Sequence, residues 1–186
     1  MIQAPIAPDR GVAGVTVLRP AVSDTEAVLA MLGRCSRASL FHRFHGFTDG
    51  VAYSVALLRD RPASQTLLAW SRSACVGVAT LGVGATGIVD LGVLVEDAWQ
   101  RRGIGTRLIT SLLDDARAKG VATVHADVLV DDVFILQVLR QIGPLRVSTE
   151  SGSFSVDIDL SRKPGQPSGT SFPPGPKRTL AVVAVD

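Results

Sequence analysis

The chain has 186 residues, 46% of them hydrophobic and 19% charged, and a formal net charge of +2. That balance excludes a disordered polyelectrolyte and gives no electrostatic signature of nucleic-acid binding, while the length suffices for one cored domain with a short appendage. The positive charge is carried by 16 arginines against 3 lysines, and a planar guanidinium suits phosphate and carboxylate, although codon bias would produce the same skew. Cys35 and Cys75 stand apart without metal-ligand spacing, which argues against a disulfide scaffold or a zinc site. No apolar run approaches the roughly 18 residues of a membrane span, and the N-terminus lacks the basic-then-apolar order of a signal peptide. The expectation is a soluble cytoplasmic protein.

Residues 14–20 (GVTVLRP) alternate apolar and polar side chains and predict a first strand closed by proline. Ser23-Asp24-Thr25-Glu26 reads as a capping box that opens a helix running to about Arg34. Leu40, Phe41, Phe44 and Phe47 recur at helical spacing and are read mainly as core; a second helical stretch covers 51–58, and Arg61-Pro62 ends it. Strands are predicted over 66–71 and 75–81, with Cys75 a core residue of the second. After Gly84 and Gly87, the run GIVDLGVLVED is almost continuously apolar, as in a strand covered on both faces. It holds one internal acid, Asp90, and one glycine, Gly92, where a bulge or the close approach of a ligand or backbone is expected.

Residues 103–119 predict an amphipathic helix. Ile104, Leu108, Leu112 and Ala116 share one stripe with Ile109 and Leu113 beside them, Asp115 and Lys119 pair favourably, and Gly120 stops the helix. A strand over 121–130, a helix over 131–142 ending at Gly143-Pro144, and a closing hairpin of 145–149 and 154–160 follow. The resulting order, β-α-α-β-β-β-α-β-α-β-β, predicts a mixed sheet with helices on both faces, making 1–160 one domain. Residues 161–176 hold five prolines, three glycines and four serines or threonines. The segment 161–186 is therefore read as a Pro/Gly-rich tail ending in a strand-prone TLAVVAVD.

Between the apolar strand and the amphipathic helix lies Gln100-Arg101-Arg102-Gly103-Ile104-Gly105-Thr106. A turn from a buried strand into a helix leaves the first helical amides unpaired at the positive end of the helix dipole. Glycines at 103 and 105 remove side chains that would keep a phosphate from those amides, and Arg101 and Arg102 add mobile positive charge at the rim. A Walker loop would need Gly-Lys-Ser/Thr, but Gly105 is followed by Thr106-Arg107. A dinucleotide fingerprint would need glycine where Leu108 stands. The pattern Gln-x-x-Gly-x-Gly after an apolar strand resembles instead the acyl-CoA pyrophosphate loop of the GNAT N-acetyltransferase superfamily. DLGVLVEDAWQRRGIGTRL, with SRASLFHRFHGF upstream, is similar to its bacterial protein-lysine acetyltransferase (Pat-like) branch.

The resemblance implies the GNAT α/β (α+β) fold: a central, mixed, mostly antiparallel sheet with helices on both faces and splayed central strands. It implies acetyl-CoA as co-substrate and no metal. Within Val93-Leu94-Val95, the backbone of Val93 and Val95 would pair with pantetheine. The amides from Arg101 or Arg102 through Gly103, Ile104, Gly105 and Thr106 would hold the pyrophosphate, with Gln100 opening the motif. The strand at 122–129 would splay from that at 91–95, with Gly92 as the bulge beside the slot. Asp90 stands where the Pat-like pattern carries a catalytic glutamate, so it is the candidate general base, one methylene shorter and acting through water. The rival reading is an acid capping a neighbouring loop.

Asp132 and Leu139 stand where many GNAT members carry a CoA-contacting asparagine and a general-acid tyrosine; the Pat-like branch tends to lack the tyrosine. Phe41, His42 and His45 fall on the segment that flanks the acceptor cleft in this fold, or else simply on helix surface. His125 is read as packed or hydrogen-bonded within its strand, and Glu96 and Asp97 as solvated loop acids. The leading expectation is N-acetyl transfer to an amine, on a protein lysine or a small molecule, by a monomer or homodimer with no nucleic-acid or membrane partner. A domain that senses acyl-CoA without turning it over is the rival from another class.

Overall fold

The computed structural model describes residues 12, 14–44, 65–83, 88–130, 133–150 and 152–164. Strands β1 (Val15–Leu18), β2 (Gln65–Ser71), β3 (Ala74–Val83), β4 (Val89–Val95), β5 (Thr123–Leu129), β6 (Leu145–Glu150) and β7 (Ser153–Asp159) form one sheet in the order β1-β2-β3-β4-β5-β7-β6. Every neighbouring pair is antiparallel except β4 and β5, which run parallel. Among the described residues four α-helices accompany the sheet: α1 (Thr25–Arg34), α2 (Arg37–Phe44), α3 (Ile104–Ala118) and α4 (Val133–Arg140). The expected helix at 51–58, Phe47 and the tail from residue 165 onward lie outside the described residues.

Side chains alternate between the two faces of a strand, so each central strand feeds two cores. On one face Leu68, Cys75, Val78 and Leu94 meet Val28, Met31 and Leu32 of α1. On the other, Leu91, Val93, Val124, Ala126 and Val128 meet Leu108, Leu112 and Ala116 of α3 and Ile135 and Leu139 of α4. The stripe read along 103–119 is this second contact: Ile104, Leu108, Ile109, Leu112, Leu113 and Ala116 are all buried. Each such aliphatic side chain contributes about 1.5–3 kcal/mol of burial. The Asp115–Lys119 pair forms at 3.4 Å, and Arg19 also reaches Asp115, tying the end of β1 to α3.

Two local expectations are corrected. No Ser23–Glu26 box caps α1. A short 3-10 turn, Val22–Asp24, precedes the helix, and the Asp24 carboxylate accepts the Ala21 amide at 2.7 Å. Being one position nearer the turn, Asp24 closes it locally and displaces the serine. Gly92 is not a bulge either: β3 and β4 pair without interruption from Gly77–Val95 to Val83–Val89. The irregularity lies one strand away, between Ala69 and Trp70 of β2, where β3 carries an extra residue.

The parallel contact sets up the site. β5 meets β4 at one register pair, Asp90 with His125. In an antiparallel ladder alternate residues turn their main-chain groups to the same neighbour. The Glu96 amide donates to the Val76 carbonyl at 3.0 Å, so even-numbered β4 residues bond to β3 and the odd ones face β5. Past the single bridge, Val93 and Val95 therefore present main-chain groups to an opening gap. Replacing Leu108 by alanine should cost about 2–5 kcal/mol, because its wholly buried side chain would leave a cavity under β3. Urea denaturation should show a lower midpoint with an unchanged slope.

Candidate functional site

The turn from β4 to α3 contains two residues in the left-handed region, Arg101 at φ 58° and Gly103 at φ 78°. For arginine that conformation costs about 1–2 kcal/mol, whereas Gly103 adopts it freely and a Cβ there would meet only Val12, at 3.7 Å. Alternating handedness gathers successive N–H groups into a concavity, and the first amides of α3 continue it. These amides open onto a cleft of about 380 Å³ lined by Val95, Gln100, Arg101 and the start of α3 from Gly103 to Thr106. Trp99 and Phe134 complete its walls, and the sequence reading missed both. Phe134 and its neighbour Val133 are 55% and 54% exposed in a helix whose other apolar residues face inward, a signal that periodicity could have given. Arg102 turns aside, its guanidinium 4.9 Å over the Trp99 ring, a cation–π contact at the cleft wall.

A polar network holds this loop against α2. The Gln100 side-chain amide donates to the Val95 carbonyl and to Ser39 Oγ, both at 3.0 Å. Ser39 Oγ donates to Asp97 Oδ1 at 2.9 Å, and the Ser36 amide donates to Asp97 Oδ2 at 2.8 Å. Burial alone would push the Asp97 carboxyl up, but the hydrogen bonds from Ser36 and Ser39 outweigh it and hold the group below the usual carboxylate range. Glu96, expected in solvent, is buried and bound by Arg34 at 2.8 Å. The strand end carries its side chain beneath α1, where only a paired carboxylate is tolerated. Neither acid is placed to meet a substrate.

The face of β4 and β5 on the α2 side carries a second group of polar residues. Asp90 and Gly92 share it with Leu94, and His125 and Asp127 lie opposite the core-facing Val124, Ala126 and Val128. Helix α2 turns Ser39 and Arg43 inward. The Arg43 guanidinium lies so close over Gly92 that a Cβ there would stand 2.3 Å from Nη2. Nη2 also donates to Thr80 Oγ1 at 3.1 Å. The close approach expected at Gly92 is thus made by an arginine of the same chain.

The remaining candidates divide. Val95, Gln100, Arg101, Gly103, Ile104, Gly105 and Thr106 line the cleft, whereas Asp90 sits at the single β4–β5 pair on the opposite face and Val93 is buried in the core beyond it. Leu94 is turned to β3 and α1. Phe44 packs, partly buried, against the core on the α1 side, as expected of the aromatic group, whereas Phe41 is 54% exposed and departs from that expectation because it lies on the outer side of α2. His42 is half-buried, while His45 and Asp132 lie outside the described residues. Burial pushes the Cys35 thiol up to about 12 and the Cys75 thiol up to about 11, so neither is a thiolate nucleophile at neutral pH. Among the described residues no group of three or more His, Cys, Asp or Glu could hold a metal ion, and no helix is long and apolar enough to cross a membrane.

The family model described as the acetyltransferase (GNAT) family matches residues 36–143. The chain belongs to the GNAT family. No curated protein matches the sequence, but solved GNAT structures do. The GNAT domain of PAT from S. lividans is 22% identical with a TM-score of 0.67, over 78% of this chain and 90% of that one. For yncA from Salmonella typhimurium with its cofactor acetyl-CoA, the values are 17% and 0.63 over 79% and 94%. PaiA N-acetyltransferase from Thermoplasma acidophilum in complex with coenzyme A gives 14% and 0.58 over 78% and 98%. These likenesses establish the GNAT fold, and with it the mostly antiparallel mixed sheet flanked by helices.

Because the folded-state Asp97 carboxyl lies below its unfolded value, its contribution to stability is present above about pH 4 and is lost as pH falls through the depressed folded value. Thermal melts from pH 6 down to pH 2 should show a shallower acid loss for Asp97→Asn than for the parent chain.

Proposed function

We propose that this GNAT chain transfers an acetyl group from acetyl-CoA to an amine, with a protein lysine as the acceptor. The carrying observation is the conjunction of two features at one place. A strand edge opens past the Asp90–His125 bridge, and a left-handed turn leads from it to the exposed amides of α3. The residues present fit the group. Val93 offers a main-chain donor and acceptor along the gap, and Val95 an amide donor beside its carbonyl held by Gln100, as a pantetheine arm with its own amides requires. Gly103, Ile104, Gly105 and Thr106 offer N–H groups at the positive end of α3, with Arg101 at the rim, as a pyrophosphate requires. Trp99 and Phe134 supply apolar walls.

Acetyl-CoA, when bound, supplies a thioester whose acyl carbon is the electrophile. This chain supplies position and proton handling. A lysine-like amine has a pKa of about 10.4 and must lose a proton before it attacks. Asp90 lies at the narrow end of the gap, next to the bridge, and takes that proton through a water because its side chain is short. Val93 and Val95 fix the acyl group relative to Asp90, so much of the rate comes from orientation. Leu139, which occupies the position of a general-acid tyrosine in many GNAT members, is wholly buried in the α4 core, so no proton donor acts from there. The lysine acceptor is supported by the resemblance of the SRASLFHRFHGF segment to the protein-lysine acetyltransferase branch; its Phe41 stands exposed and its His42 is half-buried.

Two measurements test this reading. Gly103→Val should raise the Kd for coenzyme A at least about tenfold by calorimetry, the equivalent of one charge-assisted hydrogen bond; unchanged affinity would remove the pyrophosphate assignment. Thiol release from acetyl-CoA should depend on added lysine-rich protein and fall about 10²–10⁴-fold in Asp90→Ala with coenzyme A affinity retained. Release with small amines alone would move the acceptor class. Tight binding without turnover on any acceptor would mark a sensor.

A further inference from the structure

His125 is 1% exposed, and both of its ring nitrogens face carboxylates. Nδ1 lies 3.0 Å from Asp157 Oδ1 and Nε2 lies 3.2 Å from Asp127 Oδ1. A neutral imidazole carries one N–H and one lone pair. Held between two carboxylates, such a ring would turn its lone pair toward acceptor oxygens. A proton on each nitrogen satisfies both contacts, as does a protonated aspartic acid on one side. The sheet register favours the doubly protonated ring. Asp90 of β4 pairs with His125 of β5, His125 with Asp157 of β7, and Asp157 with Arg146 of β6. With an imidazolium at 125, this row across four strands alternates negative, positive, negative, positive.

We propose that His125 is held as an imidazolium between Asp127 and Asp157 and serves as the positioning residue that keeps Asp90 ionised. The proposal rests on Asp90 being the base described above. Among the described residues, the charged groups on the elements that meet the ring include Asp90 from β4, Asp127 on its own strand and Asp157 from β7 with Arg146 beyond it on β6, and Arg43 of α2 lies on Gly92 of the same face. Without the ring's second proton, Asp90 would face an uncharged ring across the bridge, in the company of Asp127 and Asp157. A neighbouring like charge favours the protonated form of a carboxylate, and a neighbouring cation favours the ionised form. With that proton, the charge directly across the bridge from Asp90 is positive, at a strand spacing of about 4.8 Å. The row also leaves the acceptor side of the gap rich in carboxylate, which favours an incoming ammonium group.

The test needs no acceptor. The chain has three histidines, so nitrogen-15 spectra of the imidazoles, with His125→Asn to assign the ring, report its protonation directly. Both His125 nitrogens should be protonated at pH 7, and a single neutral tautomer there overturns the proposal. In aspartate labelled at the carboxyl carbon, the Asp90 titration midpoint should rise by about one pH unit or more in His125→Asn with coenzyme A affinity retained. An unmoved midpoint overturns it. Should His125→Asn fail to fold, Asp157→Asn provides the second reading. Removing one carboxylate should lower the pH at which His125 gives up its second proton by about one unit, and no change overturns the proposal. These spectra are taken without acetyl-CoA turnover, so a failure of acyl transfer refutes the functional reading and leaves this one to stand or fall by itself.

Discussion

Everything at the site depends on the brevity of one strand pairing. β4 and β5 are the parallel neighbours in an otherwise antiparallel sheet, and they share a single register pair, whereas β4 is zipped to β3 over its whole length. A ladder that stops after one rung leaves main-chain donors and acceptors without a strand to meet, an arrangement that buried backbone tolerates only where something else will occupy the opening. That opening lies in the middle of the sheet, between the two hydrophobic clusters, so its walls are rigid and its chemistry comes from the few residues that border it.

The two faces of the sheet divide the work. The face covered by α3 and α4 is apolar and delivers the helix N-terminus to the end of β4, where Gly103 makes a left-handed turn that other residues adopt only at a cost. The opposite face carries Asp90, Arg43, His125, Asp127 and Asp157 in a setting where each charge must find a partner. Between them, Gln100, Ser39 and Asp97 bind the loop to α2. The loop at the start of α3 and the polar face are therefore joined through one short helix, and a change in α2 touches both.

Much of this was legible in the chain. The amphipathic stripe of 104–116 and the apolar run before it are long periodic signals, and they gave the strand–turn–helix that became the cleft. The spacing Gln-x-x-Gly-x-Gly reported the cradle because left-handed backbone and close approach are local requirements that glycine alone meets cheaply. Local reading failed where neighbours in space decide. Glu96 looked like a loop acid until Arg34, 62 residues earlier, closed on it. The aromatic spacing of Leu40, Phe41 and Phe44 suggested a buried face; Leu40 and Phe44 do pack against the α1-side core, but Phe41 is exposed, and Ser39 and Arg43 share the inward side, where Asp97 and Gly92 meet them.

By itself, then, the sequence determined the order of the described elements, the glycine-bearing turn from β4 to α3 and the place of Asp90 within β4, since each follows from hydrogen bonding, periodicity or glycine geometry within a few residues. Tertiary structure alone decided that β5 would touch β4 once and then diverge, that Gly92 would be covered by an arginine rather than bulge, and that His125 would stand between two carboxylates opposite Asp90. Those facts depend on strand register, and register is set by the packing of whole faces rather than by any short stretch of chain.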